Sequence, residues 1–135
     1  MHTCATGVLG WCVAEKISIQ NAQHYNWGDP ARPCDGWHLL RSDELSVIEE
    51  RMPPGTEEQR HRHGRSRQLF YVLEGELTME AAGEVQTLRA GEALEIAPEV
   101  PHQALNRSGA DVRFLVISQP PSHGDRVDAR VSGAS

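Results

Sequence analysis

The chain has no apolar run near membrane-spanning length, so no transmembrane segment is expected. It also has no excess of basic residues. The net charge is −6 and the pI near 5.6, whereas a nucleic-acid partner normally leaves a basic footprint. Cysteine is scarce. Cys4, Cys12 and Cys34 cannot all pair internally, and their spacing forms no Cys-x-x-Cys pattern. A reducing, cytoplasmic setting fits that count. There is no Gly-rich phosphate loop, no repeat at solenoid periods and no stretch of sustained helical spacing. At 135 residues the chain is long enough for one domain and one core and too short for a second.

Residues 1–14 contain Val8, Leu9 and Trp11 but no lysine or arginine. The apolar piece is short for a secretory signal, and Trp11 ahead of Cys12 does not fit a lipoprotein cleavage site. These residues are expected to form a loose arm. Residues 15–120 form the expected main unit, and residues 121–135 an expected polar tail.

Turn signals punctuate the chain from Asp35-Gly36 onward. Three of their glycines, Gly75, Gly83 and Gly91, are eight residues apart. Evenly spaced turns between short β-like segments predict an all-β sandwich or barrel. Strands are expected over 45–52, 68–73, 77–80, 85–88, 93–97 and 112–118. The run Phe114-Leu115-Val116-Ile117 is apolar at every position, which predicts a strand buried on both faces. A short helical turn is expected over residues 21–25, and Pro120-Pro121 ends the last strand.

The chemistry concentrates in the histidines. His61 and His63 are separated by one residue, which puts both side chains on one face of a strand. His102 follows in a Pro-Glu-Val-Pro-His run. Three converging imidazoles suit zinc, copper, nickel or iron. Taken singly, a histidine in a barrel is usually packing or surface. His2, His24 and His123 are expected at the surface, and His38 away from the site. Cys34, with no base to activate it, is given a structural role. Trp27 and Trp37 are assigned to core or lid. Arg60, Arg62, Arg65 and Arg67 interleave with the histidine pair, either as a solvated rim or, through Arg65 and Arg67, as an attractor for an anion.

Two spacings resemble a known family. Gly55, five residues, His61, one residue, His63, four residues, Gln68, six residues, Gly75 is similar to the first motif of the cupin superfamily. Gly91, six residues, Pro98, two residues, Pro101-His102, three residues, Asn106 resembles the second, without the glycine that usually follows the first proline. The resemblance covers residues 39–118 and implies a small antiparallel jelly-roll barrel. It also implies one divalent metal held by His61, His63, position 68 and His102, and a homodimer. For that dimer, Ile17 to Ile19 is the segment expected to pair with a partner's sheet. Position 68 departs from the pattern, being Gln68 where the family has glutamate. A glutamine oxygen is a weaker, uncharged donor, so the set should favour zinc, nickel, iron or copper over manganese. Alternatively, Gln68 orients a water beside a three-histidine site.

Strand parity places Phe70 and Val72 on the Gln68 face, and Ala104 and Asn106 on the His102 face. With Ile48 and Met52 they are expected to line an apolar pocket for a small anionic or oxygen-rich molecule. Three functions compete. A metal-dependent dioxygenase ranks first, because a neutral donor set suits a chelating substrate and oxygen. A non-catalytic binding or sensor module ranks second. A sugar isomerase or epimerase ranks last, because the inward-parity acids Glu50 and Glu95 are unplaced by sequence. Fold does not decide among them.

Overall fold

The computed structural model describes residues 3–6 and 12–130. Its elements are β1 (Thr3–Thr6), β2 (Cys12–Lys16), β3 (Gln23–Trp27), β4 (Cys34–Arg41), β5 (Ser46–Met52), β6 (His61–His63) and β7 (Arg67–Glu74). They continue with β8 (Glu76–Ala81), β9 (Glu84–Arg89), β10 (Ala93–Ile96), β11 (His102–Leu105), β12 (Val112–Gln119) and β13 (Arg126–Asp128). There is no helix among the described residues. All pairings are antiparallel, which makes the fold an all-β double-sheet jelly-roll barrel. One sheet has the order β10-β7-β12-β5-β4-β3 and the other β13-β6-β11-β8-β9. A separate hairpin joins β1 to β2.

Turn chemistry sets these registers. Ala82 and Gly83 both have positive φ (51° and 91°), the two-residue hairpin geometry whose twist matches the flanking strands β8 and β9. Gly75, at φ 84°, turns β7 into β8 so tightly that a Cβ there would lie 2.5 Å from the Asp111 carbonyl oxygen. The inward faces of both sheets meet in one core built on Met52, Phe70, Val72, Leu77, Met79, Val112 and Phe114. Burying Phe114 alone contributes about 2 kcal/mol, and its ring lies 6.1 Å from that of Phe70.

Two expectations are corrected. β12 is buried on one face only. Val112, Phe114, Val116 and Ser118 point inward, while Leu115 and Ile117 are half-buried on the outer face of the sheet. Residues 21–25 are not helical. Hydrogen bonds from the Asn21 and Ala22 N–H groups to the Ser18 carbonyl close a turn over 18–22, and Tyr25 lies in β3. The stretch expected as a polar tail contributes β13, which pairs with β6. Within the expected arm, Thr3–Thr6 pairs with Cys12–Lys16. Val8, Leu9 and Trp11, like residues 131–135, lie outside the described residues, and the side chains of Cys4 and Cys12 are not described.

Candidate metal centre

β6 is three residues long and lies between β11 and β13, with His61 opposite His102 on one side and Asp128 on the other. Alternation turns His61 and His63 inward, and the register brings His102 beside them. The ring centroids of His61 lie 4.8 Å from His63 and 4.5 Å from His102. One ring nitrogen of each histidine lies within 4.8 Å of the other two, and all three residues are buried. Gln68 reaches the same point from β7 in the opposite sheet. Its Oε1 is 3.1 Å from His102 Nε2, and its amide donates to Ser118 Oγ at 3.0 Å.

The hydrogen bonds fix which nitrogen faces the cavity. His61 Nδ1 donates to the Gln59 carbonyl (2.8 Å), His63 Nδ1 to Asp125 Oδ1 (2.8 Å) and His102 Nδ1 to the Val100 carbonyl (2.9 Å). These oxygens only accept, so each Nδ1 carries a proton and each Nε2 is left toward its neighbours. Burial pushes His61 down to about 3 and also lowers His102, so both rings are neutral near pH 7. The contact between His102 Nε2 and Gln68 Oε1 then sets one lone pair against another. It is repulsive alone and becomes attractive with a cation between them. Two donors bound side by side at about 2.1 Å sit about 3.0–3.4 Å apart for angles between octahedral and tetrahedral, a range that includes the observed 3.1 Å. The residues present therefore fit a divalent transition metal.

Asp125 was not found by sequence reasoning. Burial raises its carboxyl, but the N–H groups of Arg65 and Ser66 and the His63 ring outweigh burial and hold it below its ordinary range. It fixes the ring of His63 as carboxylates do behind metal-bound histidines. Its only sequence signal was one apolar residue, Val127, between charged ones, too short a pattern to mark a strand.

Beneath the histidines lies a cavity of about 300 Å³. Ile48 and Phe70 line it. Met52, Val72 and Ala104 face inward but sit deeper, in the filled core. Asn106 is also displaced from the expected lining. Its amide donates to the Met52 and Ala110 carbonyls, and its oxygen receives the Ser108 N–H and hydroxyl, which ties down a loop. Parity gave the correct face for these four, but depth along the strand put them below the cavity floor. Neither Arg65 nor Arg67 lines the cavity. Both are exposed, and Arg67 pairs with Glu95 on the surface. The cation that does line it is Arg126 of β13.

The cavity also holds Tyr25, Glu50 and Glu58. Burial pushes Glu50 up to about 7, against the opposing pull of the Tyr25 hydroxyl and Arg126. Burial and the charge of Glu50 push Glu58 up to about 8. Burial, then Glu50, raises Tyr25. Ser118 was within reach of sequence reasoning, since its strand and parity were both legible.

Residues 48–118 match the family model described as the cupin domain. The chain is 32% identical over 89 residues to an uncharacterized protein of Methanocaldococcus jannaschii, covering 65% of this chain and 71% of the relative. Among solved structures it resembles the polyketide cyclase RemF of Streptomyces resistomycificus (TM-score 0.73, 18% identity, 90% of this chain and 89% of that one). It also resembles an RmlC-like cupin of Shewanella frigidimarina (TM-score 0.66, 23% identity, 77% and 88%). These likenesses establish the fold. No helix among the described residues is long and apolar enough to cross a membrane.

Proposed function

Because the chain belongs to the cupin family, we propose that it holds one divalent transition metal through His61, His63, His102 and Gln68 and acts on a small, oxygen-rich organic molecule in the cavity below. One observation carries this reading. All three imidazoles donate Nδ1–H to fixed oxygens and leave their Nε2 atoms toward one point. A bound metal would supply positive charge that polarises a ligand oxygen. Zinc, nickel, iron and copper suit the uncharged donors better than manganese does.

Two reaction classes fit this cavity. The dioxygenase reading rests on the neutral donor set. A proton-transfer reading, ranked last on sequence for want of a placed acid, gains support from Glu50 and Glu58, which stand inside the cavity. Glu95 does not join them. The carboxyl groups move proton transfer ahead of oxygen activation.

Metal analysis of the purified protein, followed by oxygen uptake with catechols, flavonols, thiols and 1,3-diketones, tests both levels. One equivalent of metal with no oxygen uptake is the expected result. Rapid uptake with one substrate class would restore the dioxygenase reading. Absence of metal after incubation with zinc, nickel, iron and copper would refute the centre itself.

A further inference from the structure

Tyr25 of β3, Gly36 of β4 and Glu50 of β5 stand opposite one another in a row across three adjacent strands. Gly36 is buried, and its value here is the absence of a side chain. A Cβ at that position would lie 2.2 Å from Tyr25 Cζ and 2.5 Å from the phenol oxygen. The ring therefore lies flat over β4 and reaches Glu50 two strands away. That span is about 9.5 Å between backbones, and the hydroxyl still comes within 3.2 Å of Glu50 Oε2. With any other residue at position 36 the row could not close.

The surroundings of Glu50 differ from those of a structural carboxylate. Glu49, its neighbour on the other face of β5, is held by Arg113, and Glu80 is held by Arg60. Among the described residues Glu50 has one hydrogen-bond partner, the Tyr25 hydroxyl. Glu58 and Arg126 face it across the cavity, and the His38 ring packs 5.0 Å from that of Tyr25. Arg41 acts on Tyr25 through its charge. Glu50 is half-buried and opens into the cavity that it shares with His61 and His63. Its proton affinity near neutrality suits an acid that must both accept and release a proton.

We propose that Glu50 is the proton-transfer residue of this cavity, that Tyr25 positions it across the gap left by Gly36, and that the ligand is an α-hydroxy carbonyl compound. The inference rests on the metal-centre reading given above, because the ligand's two adjacent oxygens would be held at the histidines. The Glu50 carboxylate takes the proton from the carbon that bears the hydroxyl. The C–H electron pair forms a carbon–carbon double bond, and the carbonyl π pair moves onto its oxygen. Glu50 returns the proton to the former carbonyl carbon, and the hydroxyl proton passes to the other oxygen. The product is the isomeric α-hydroxy carbonyl, formed without oxidant or reductant. A hydrogen on carbon yields to a carboxylate only when a neighbouring carbonyl spreads the charge, which is why this ligand class is selected.

The test uses the full chain in two arms. In the metal-free protein, the infrared band of a neutral carboxylic acid at pH 6 should lose a component in Glu50→Gln. The titration midpoint of that component should rise in Tyr25→Phe and in Gly36→Ala, since both remove the phenol's hydrogen bond. In the zinc-loaded protein, deuterium from heavy water should enter dihydroxyacetone or glyceraldehyde. That exchange should fall at least about 100-fold in Glu50→Gln and less in Tyr25→Phe, with zinc stoichiometry unchanged. Glu49→Gln, on the outer face of β5, should exchange like the wild type. Unchanged exchange in Glu50→Gln, no exchange in zinc-loaded wild type with either compound, or no acid band assignable to Glu50 would overturn the proposal. If the chain takes up no zinc, the metal centre fails by itself, and the infrared arm still decides whether Tyr25 holds Glu50 as a proton carrier.

Discussion

Across one cavity from His61, His63 and His102, whose Nδ1 protons each meet a fixed oxygen, lie Glu50 and Glu58, whose oxygens outnumber the donors that reach them. In the first cluster every N–H is satisfied by the protein, so the remaining lone pairs face inward and need a cation. In the second, among the described residues, Glu50 takes a hydrogen bond from one phenol, and Glu58 takes one from the Ala104 N–H. Burial then favours the uncharged acids, and protons take the place of missing donors. The same low-polarity surroundings thus favour the neutral rings of His61 and His102 on one wall and the protonated carboxyls of Glu50 and Glu58 on the other.

The largest expected effect removes the first cluster. Replacing both His61 and His63 by alanine should reduce bound zinc, measured by elemental analysis, to background. Far-UV circular dichroism should stay unchanged, because the core lies deeper than the site. Metal retained in full by the double variant would end the assignment.

The next effect sets the two walls against each other through pH, in metal-free protein. His61 has a folded value of about 3, below its unfolded 6.5, so its contribution is complete above pH 6.5 and is lost as pH falls toward 3. Glu50 and Glu58 have folded values of about 7 and 8, above their unfolded 4.5. Their contribution is complete below pH 4.5 and is lost as pH rises through 7 and 8. Urea unfolding should show stability falling on both sides. At about 1.4 kcal/mol per unit of displaced pKa, the alkaline loss from the two groups together is on the order of 8 kcal/mol. Glu50→Gln should flatten the alkaline limb and leave the acid limb in place. An unchanged alkaline limb would mean that Glu50 is ionised in the native protein.

Asp125→Asn should weaken zinc binding by about 10- to 100-fold, the usual cost of losing the partner behind a metal-bound imidazole. Competition with a chromophoric chelator reads this directly. Wild-type affinity in the variant would show that the ring of His63 is held by its neighbours alone.

The smallest effect concerns Gln68. Gln68→Glu should raise the manganese-to-zinc affinity ratio several-fold, because a hard anionic oxygen favours the harder ion. Paired titrations check it. An unchanged ratio would place Gln68 outside the donor set, holding a water beside three histidines.

Much of this was legible before the fold was known. His61 and His63 share a face because strand side chains alternate, whatever sheet they join. Gly75, Gly83 and Gly91 mark turns because their positive φ favours glycine. Met52, Val72 and Ala104 show where such reasoning stops. Their inward parity was right, but alternation says nothing about depth, and depth separates the cavity from the core. Asp125 and Arg126 lay beyond reach because β13 is only three residues long and is stabilised by its neighbour β6. Tyr25 lay beyond reach for the same reason, since a helical turn and a short edge strand are nearly equal by local preference.

The sequence by itself determined the main strands between residues 45 and 118, their turns, the two histidine motifs and the replacement of glutamate by Gln68, because these depend on near-neighbour geometry and on residue chemistry. Only the tertiary structure decided what the motifs face. The alignment of Tyr25, Gly36 and Glu50, the backing of His63 by Asp125, and the depth of the cavity all depend on register between strands far apart in the chain. Register is set by the packing of whole sheets, and no local stretch of sequence encodes it.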